Sequence, residues 1–414
     1  LSEKSSKLLI IGHVWPQPNA TAAGEHMLHL IHFFKDLKYQ IFFVSAAQQP
    51  SDFNVFENLV IQTASVAIND DNFDTLLLDY APDVVLFDRF MVEEQFSWRV
   101  KKECPNAIRI LDTEDLHFLR KQRQKALNTI TTTTTTTTIV DSLSDQAKRE
   151  LASMYRCDLN LMISLKEIDI LTTTYNFPKH LLHYIPLLSD KVENDLFIPF
   201  NERKDLVFVG NFLHEPNWHA VQILKKEIWP VLSKKIPNVK LHIYGAYATE
   251  KNYQLHNEKQ GFLVHGYVKD LEAVLEKSSL LLAPLYFGAG QKGKLLKAMQ
   301  CGTPTVTTSL GAEAMQFDKL WPGAIADDIN DFIERVITLY TDAYQWNKAQ
   351  QNIAELVNSH YLYNTHFNFF KEKLVELIEN ITIHRTKNIT GQILWHQSMR
   401  STEFMSRWII EKNK

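Results

Sequence analysis

The strongest constraint on the fold is a pattern that the chain runs through twice. Near its start, KLLIIGHV (7–14) is a short, almost continuously apolar run. Gly24 to Lys38 follows, with Met27, Leu30, Ile31 and Phe34 at helical spacing. A run of the first kind is a strand covered on both faces, and strands alternating with helices build a parallel sheet. YQIFFVSAA (39–47), VVLFDR (84–89), AIRIL (107–111) and DLNLMIS (158–164) continue as strands, and Asp145 to Tyr155 reads as a helix. The pattern restarts near residue 205. LVFVGNF (206–212) is a strand, and Pro216 to Ile236 a long helix with Val221, Leu224, Ile228, Val231 and Leu232 on one stripe. VKLHIYGA (239–246), FLVHGYV (262–268), the helical DLEAVLEKS (270–278), LLLAPL (280–285) and PTVTT (304–308) complete it.

The expectation is an α/β protein of two Rossmann-like, doubly wound domains. The first covers residues 1–195, the second 196–375, and a helical tail 376–414. Such sheets bind ligands at the carboxyl ends of their strands, so two facing sheets place a ligand in the cleft between them. A length of 414 residues suits two domains. The net charge of −4 gives no basic field for nucleic acid. Cys104, Cys157 and Cys301 fit no metal spacing and point to a reducing compartment. No apolar run approaches the ~20 residues that span a bilayer. LSEKSS at the start does not read as a secretory signal, and a cytoplasmic location is the expectation.

Two segments stand apart. Thr131–Thr138 is a homopolymer with no face to bury, and reads as a loop. In the tail, Phe404, Met405, Trp408 and Ile409 gather near Arg400 and Arg407. Docking on the body is one reading of that helix; a peripheral membrane contact is the alternative.

The chemistry concentrates in FGAGQKGKLLKAMQCGTP (287–304). Gly288, Gly290 and Gly293 permit a tight turn after a strand. A helix then runs from about Lys294 to Cys301, with Gly302 as its stop. The free N–H groups of a helix start hold an anion. Lysines at that end oppose the helix dipole unless an anion sits there, and Lys292 and Lys294 are so placed. The stretch is not a P-loop, because G-x-x-x-x-G-K-[ST] is not met.

The longer stretch FGAGQKGKLLKAMQCGTPTVTTSLGAEAM (287–315) resembles the donor-site signature of family-4-type glycosyltransferases of the GT-B fold. FVGNFLHEPNWHAV (208–221) resembles the first loop of that family's second domain. GHVWPQPNATAAGEHM (12–27) resembles its N-terminal loop, and LDTEDLHFLR (111–120) the segment after a central strand of the first domain. The resemblance implies transfer of a sugar from a nucleoside-diphosphate sugar, with retention, without a metal and without a further cofactor. It implies Gly24, Gly290, Lys292 and Lys294 near the diphosphate, and Asn211 near the donor. Tyr267 and Val268 fall at the nucleobase, and Glu313 in the loop after the next strand. His117 or Asp112 would face the transferred sugar, and Lys292 would serve the departing phosphate. The acceptor, whether glycan, lipid, protein or small molecule, is expected on the first domain.

One position departs from the pattern. The family carries a carboxylate just before the Ala-Met dipeptide, against the ribose hydroxyls; here it is Lys297. A charged lysine accepts no hydrogen bond. Two alternatives therefore stay open: a catalytically silent binding or scaffold protein, and a nucleotide-sugar epimerase on the same fold.

Overall fold

The computed structural model describes residues 5–51, 53–57, 59–129, 143–317, 321–397 and 399–412; Thr131–Thr138 lies outside them. Two parallel sheets form its frame. The first contains β1 (Lys7–Gly12), β2 (Gln40–Ser45), β3 (Gln62–Ser65), β4 (Val84–Asp88), β5 (Ile108–Asp112), β6 (Leu159–Met162) and β7 (Leu182–Tyr184). Its spatial order is β3-β2-β1-β4-β5-β6-β7. The second contains β8 (Lys204–Val209), β9 (Leu241–Tyr244), β10 (Phe262–Gly266), β11 (Ser278–Ala283), β12 (Thr305–Thr307) and β13 (Gly323–Ile325), in the order β10-β9-β8-β11-β12-β13. The order reverses between β1 and β4, and again between β8 and β11, so each sheet has a switch point.

The apolar runs form strands because both faces are covered. Leu8 and Ile10 point into one core of the first sheet, with Met27, Leu30, Ile31 and Phe34 of the Ala22–Asp36 helix. Leu9 and Ile11 point into the other, with Phe87, Phe96 and Leu111. A single larger core serves the second sheet around Leu206, Phe208, Leu281 and Trp346. Three strands escaped the sequence reading: β3 is polar, and β7 and β13 have three residues each.

The long helix expected from Pro216 to Ile236 is one helical run with a defect. An α-helix, Glu215–Ile223, widens to a π turn at Leu224–Ile228 and resumes at Trp229–Lys235. Pro230 has no N–H to return to the preceding turn, which loosens the ladder there.

The chain crosses between the sheets twice. It leaves the first after β7 and returns at Tyr361–Tyr363. The crossings touch: Ser189 N–H donates to Tyr361 O (2.8 Å) and Tyr363 N–H to Ser189 O (3.1 Å). The Tyr363–Glu379 helix then adds Phe370, Leu374 and Leu377 to a core of the first sheet. Three further helices, Ile381–Lys387, Ile389–Gln397 and Met399–Lys412, lie along the outside of the first sheet's helices. Arg385 reaches the buried Asp158 at 2.8 Å, Trp395 donates to Arg156 O, and Ser406 faces Arg99. The tail thus docks on the body. Phe404, Met405 and Trp408 remain about 60% exposed on its outer face. Among the described residues no helix is long and apolar enough to cross a membrane.

Candidate active site

The strand β11 ends in the glycine-rich loop, and the Gly293–Gln300 helix starts behind it. No side chain caps that helix; its N-cap residue is Lys292. Gly290 has φ +63, and a Cβ there would lie 2.8 Å from Asp115 Cβ and 3.0 Å from Ile163 Cδ1. The glycine therefore lets the loop enter the first domain. Gly290 N–H donates to Glu167 Oε1 at 2.7 Å, a carboxylate fixed on the far side of the cleft. Gly293 sits equally close to the first domain, where an added Cβ would meet Ala22 Cβ at 2.4 Å.

The two lysines are held by neutral groups. Lys292 Nζ donates to the carbonyls of Gly290 (2.6 Å) and Ala289 (3.1 Å). Lys294 Nζ donates to Asn217 Oδ1 and lies 4.6 Å from the centre of the Phe208 ring. Among the described residues neither forms an ion pair. Burial pulls the Lys292 ammonium down to about 8, with Glu313 and Glu167 opposing it. Burial, helped by the Lys292 charge, brings Lys294 to about 7. Cations so placed are short of negative charge.

The first domain adds its own charges. Arg123, on the His117–Thr129 helix, grips Glu313 through Nη1 (2.6 Å) and Nη2 (2.9 Å), and also donates to Gly288 O (2.9 Å). Arg120 pairs with Asp115. His117 stands 3.6 Å from Asp115, edge-on to Phe90, and burial lowers its imidazole to about 4, so it is neutral at pH 7. Its backbone N–H and that of Phe118 are held by Glu150. His214, in the loop after β8, is also lowered to about 4 by burial.

Asp112 ends β5 fully buried, 3.6 Å from the equally buried His26. Burial pulls His26 down, but Asp112, then Glu114 and Asp88, outweigh it and hold the ring at about 9. Glu114 is raised to about 8 by burial and by the charge of Asp112. Arg89 and Glu114, just past β4 and β5, have φ of +74 and +57.

The structure brings Gly290, Lys292 and Glu313 together with Asp115, Arg120 and Arg123 of the first domain. Lys294 joins them beneath the loop after β8, where Asn211 O accepts from Asn217 Nδ2 and Asn211 Oδ1 from Leu213 N–H. Gly24 lies at the neighbouring seam, its N–H taken by Thr21 Oγ1; a Cβ added there would meet the Gln17 backbone at 2.6 Å. Lys297 is at the same seam, bonded to Glu25 and Glu272. Asp112 is fully buried beside His26. Tyr267 and Val268 follow the edge strand β10, three positions across the sheet from β11. Tyr267 is 54% exposed there.

Sequence reasoning did not single out Arg120, Arg123, Glu167 or Asn217. Arg120 and Arg123 share a strongly charged helix segment that reads as a solvated face. Glu167 would have been visible only as an acid in the first turn of a helix, one residue type among many there.

Residues 203–342 match the family model for glycosyl transferases, group 1. No curated protein sequence matches the chain. Among solved structures, the sucrose-phosphate synthase tll1590 from Thermosynechococcus elongatus is similar with a TM-score of 0.68 at 13% identity, covering 91% of this chain and 100% of that one. TarM gives 0.66 at 10% identity, over 90% of this chain and 99% of its own. Anabaena Alr3699/HepE, in complex with UDP and glucose, gives 0.64 at 13%, over 90% and 100%. These likenesses carry the fold, and the family model carries the second half. The fold is thus that of the GT-B glycosyltransferase structures, and residues 203–342 match the group 1 glycosyltransferase family.

Proposed function

We propose that the protein transfers a sugar from a nucleoside-diphosphate sugar to an acceptor on its first domain, with retention and without a metal. The observation that carries this reading is the pair Lys292 and Lys294. Both ammoniums are half-buried at an uncapped helix start, and both bond only to neutral oxygens. A diphosphate supplies the missing negative charge. The Anabaena relative's complex with UDP and glucose supports a nucleotide-sugar donor here.

The chemistry then follows from charge. As the glycosidic bond breaks, negative charge grows on the departing diphosphate. The two ammoniums and the N–H groups of Gly293 and Lys294 face that charge, so they act more strongly in the transition state than in the ground state. Arg120 and Arg123, paired with Asp115 and Glu313, hold the first domain's side of the cleft against the loop. The sugar ring becomes oxocarbenium-like, and the neutral His117 imidazole and nearby loop carbonyls favour it over a second cation. Removing one phosphate donor is worth roughly 2–4 kcal/mol of barrier.

Calorimetric titration with ADP, GDP, CDP and UDP tests the reading. Micromolar binding of at least one is expected, with sugar release or transfer from the matching nucleotide sugar and an anomeric product of unchanged configuration by NMR. No binding to any of them overturns it. Binding without turnover favours the second reading, a silent nucleotide-binding protein, which the lysine at 297 supports.

A further inference from the structure

The last three helices spend one face on the body and turn the other outward. In Ile389–Gln397 the buried positions among the described residues are Gly391 and Trp395, and Trp395 Nε1–H donates to Arg156 O at 2.8 Å. In Met399–Lys412 the corresponding position is Ser406, 3.4 Å from Arg99 Nη2. Two residues turn a helix by about 200°, more than half way round. Ile389 and Ile393 stand two residues either side of Gly391, and Phe404 and Trp408 two either side of Ser406. They point away from the body, with Met405 beside them and Ile383 on the neighbouring Ile381–Lys387 helix. All six are between 58 and 67% exposed. The three helices touch in sequence order, so these side chains follow one another along the outside of the first domain.

Charge gathers on the same segment. Residues 380–414 hold six Lys and Arg against two Glu, a net +4; the whole chain is −4, so residues 1–379 carry −8. Arg385 is spent on Asp158, and Arg407 pairs with Glu403. Lys387 and Lys412 are exposed. Each comes four residues after an outward apolar side chain, Ile383 and Trp408, and so shares its face. Lys412 Nζ lies 5.1 Å from the centre of the Trp408 ring. Rings and aliphatic side chains on the outer face, with lysine stems laid beside them, are how a helix lies in a lipid interface. An anionic bilayer answers both features at once: its acyl boundary takes the apolar groups and its headgroups the cations. A second copy of this chain fits less well, because a two-fold interface sets one positive tail against another.

We infer that the outer face of the three tail helices is a docking surface for an anionic lipid bilayer. Phe404, Met405 and Trp408 enter the headgroup boundary, with Ile383, Ile389 and Ile393 beside them, and Lys387 and Lys412 meet the lipid phosphates. The negative remainder of the chain is repelled by the same surface, so the charge asymmetry brings the protein in tail first. The first domain, which carries the tail, is thereby held against the membrane.

Co-sedimentation of the full chain with vesicles tests this. Vesicles of phosphatidylcholine mixed equally with phosphatidylglycerol are expected to bind it at least about tenfold better than phosphatidylcholine alone, and rising salt to weaken the binding. Phe404→Ser with Trp408→Ser lowers binding to the mixed vesicles at least about tenfold, with the melting temperature unchanged. Lys387→Glu with Lys412→Glu leaves the rings in place and lowers it at least about fivefold, while binding to phosphatidylcholine alone stays as it was. Should the serine variant melt lower, the lysine variant decides alone. The assignment is overturned if the unaltered protein does not sediment with the mixed vesicles, or if the lysine variant sediments as the original does. It is overturned equally if sedimentation velocity finds a dimer that the serine variant turns into a monomer, which would give the face to a second copy.

Discussion

Arg123 and Glu313 are 190 residues apart in the chain and meet across the cleft in a two-pronged ion pair, with bonds of 2.6 and 2.9 Å. A planar guanidinium matched to a carboxylate fixes orientation as well as distance. Both side chains are about four-fifths shielded from solvent, so the pair is worth more than an exposed one. Glu313→Gln is expected to leave each half folded and to loosen their contact. The cost is about 1.5–3 kcal/mol, as for hydrogen bonds to charged groups. Hydrogen exchange of the 288–293 amides should rise, with the cores of both sheets unchanged. Unaltered exchange in the loop would show that the pair does not hold the cleft.

Lys292→Ala should lower turnover or diphosphate affinity at least tenfold, about 1.4 kcal/mol or more. The ammonium bonds only to its own loop's carbonyls, so the melting temperature should change little. Steady-state kinetics with the matching nucleotide sugar would measure this.

Diphosphate binding should take up protons. In the empty protein Lys294 loses its proton near pH 7 and Lys292 near pH 8. A bound anion raises both, so at pH 8 binding draws protons from the buffer, and affinity falls as pH rises above about 7. The same shifts act on folding. The unfolded chain holds these protons up to the ordinary lysine range and the folded chain does not, so these two groups make the empty protein more stable as pH rises from about 7 towards 10. Titrations in buffers of different ionisation heat would count the protons.

Gly290→Ala places a Cβ at φ +63, against Asp115 and Ile163. Left-handed backbone alone disfavours alanine by about 1 kcal/mol. The greater effect is a loop pushed out of the first domain, breaking the Gly290–Glu167 bond. Nucleotide-sugar turnover should fall by more than tenfold, with the second sheet's core intact by circular dichroism.

Deleting the chain after residue 380 removes Arg385 from Asp158 and Trp395 from its place beside Arg109 and Lys101. A melting temperature lower by several degrees is expected, since each lost kcal/mol costs a domain of this size about 2–4 °C. Replacing Phe404 and Trp408 with serine is the milder change. It should spare stability, because these rings face outward, and reduce sedimentation with anionic lipid vesicles if the tail meets a membrane surface.

The fold was largely legible because its signals are local. KLLIIG and LVFV are apolar on both faces, and that alone demands covered parallel strands. The glycine-rich loop and its lysines were legible for the same reason: spacing along the chain placed them at a helix start. What could not be read was whatever meets across the cleft. Arg123 looked like one cation on a charged helix, and nothing nearby in sequence named Glu313 as its partner. Glu25 and Glu272 were ordinary first-turn acids, well placed for a helix dipole, until the fold set Lys297 between them. The resemblance put His117 or Asp112 against the transferred sugar, and nothing nearby in sequence showed that the Asp112 side chain is fully buried, 3.6 Å from His26. The polar β3 and the short β7 and β13 carry too little hydrophobic pattern to be seen.

The double crossing at Ser189 and Tyr361 has a mechanical meaning. A protein whose halves are joined by one strand can swing in any direction. Here two strands pass side by side and are bonded to each other, like the paired pins of a door. Twisting is resisted, and the easy motion is rotation about the line through both pins. Opening would then part the Arg123–Glu313 and Glu25–Lys297 contacts in a single movement, and one swing would expose Lys292 and Lys294 together.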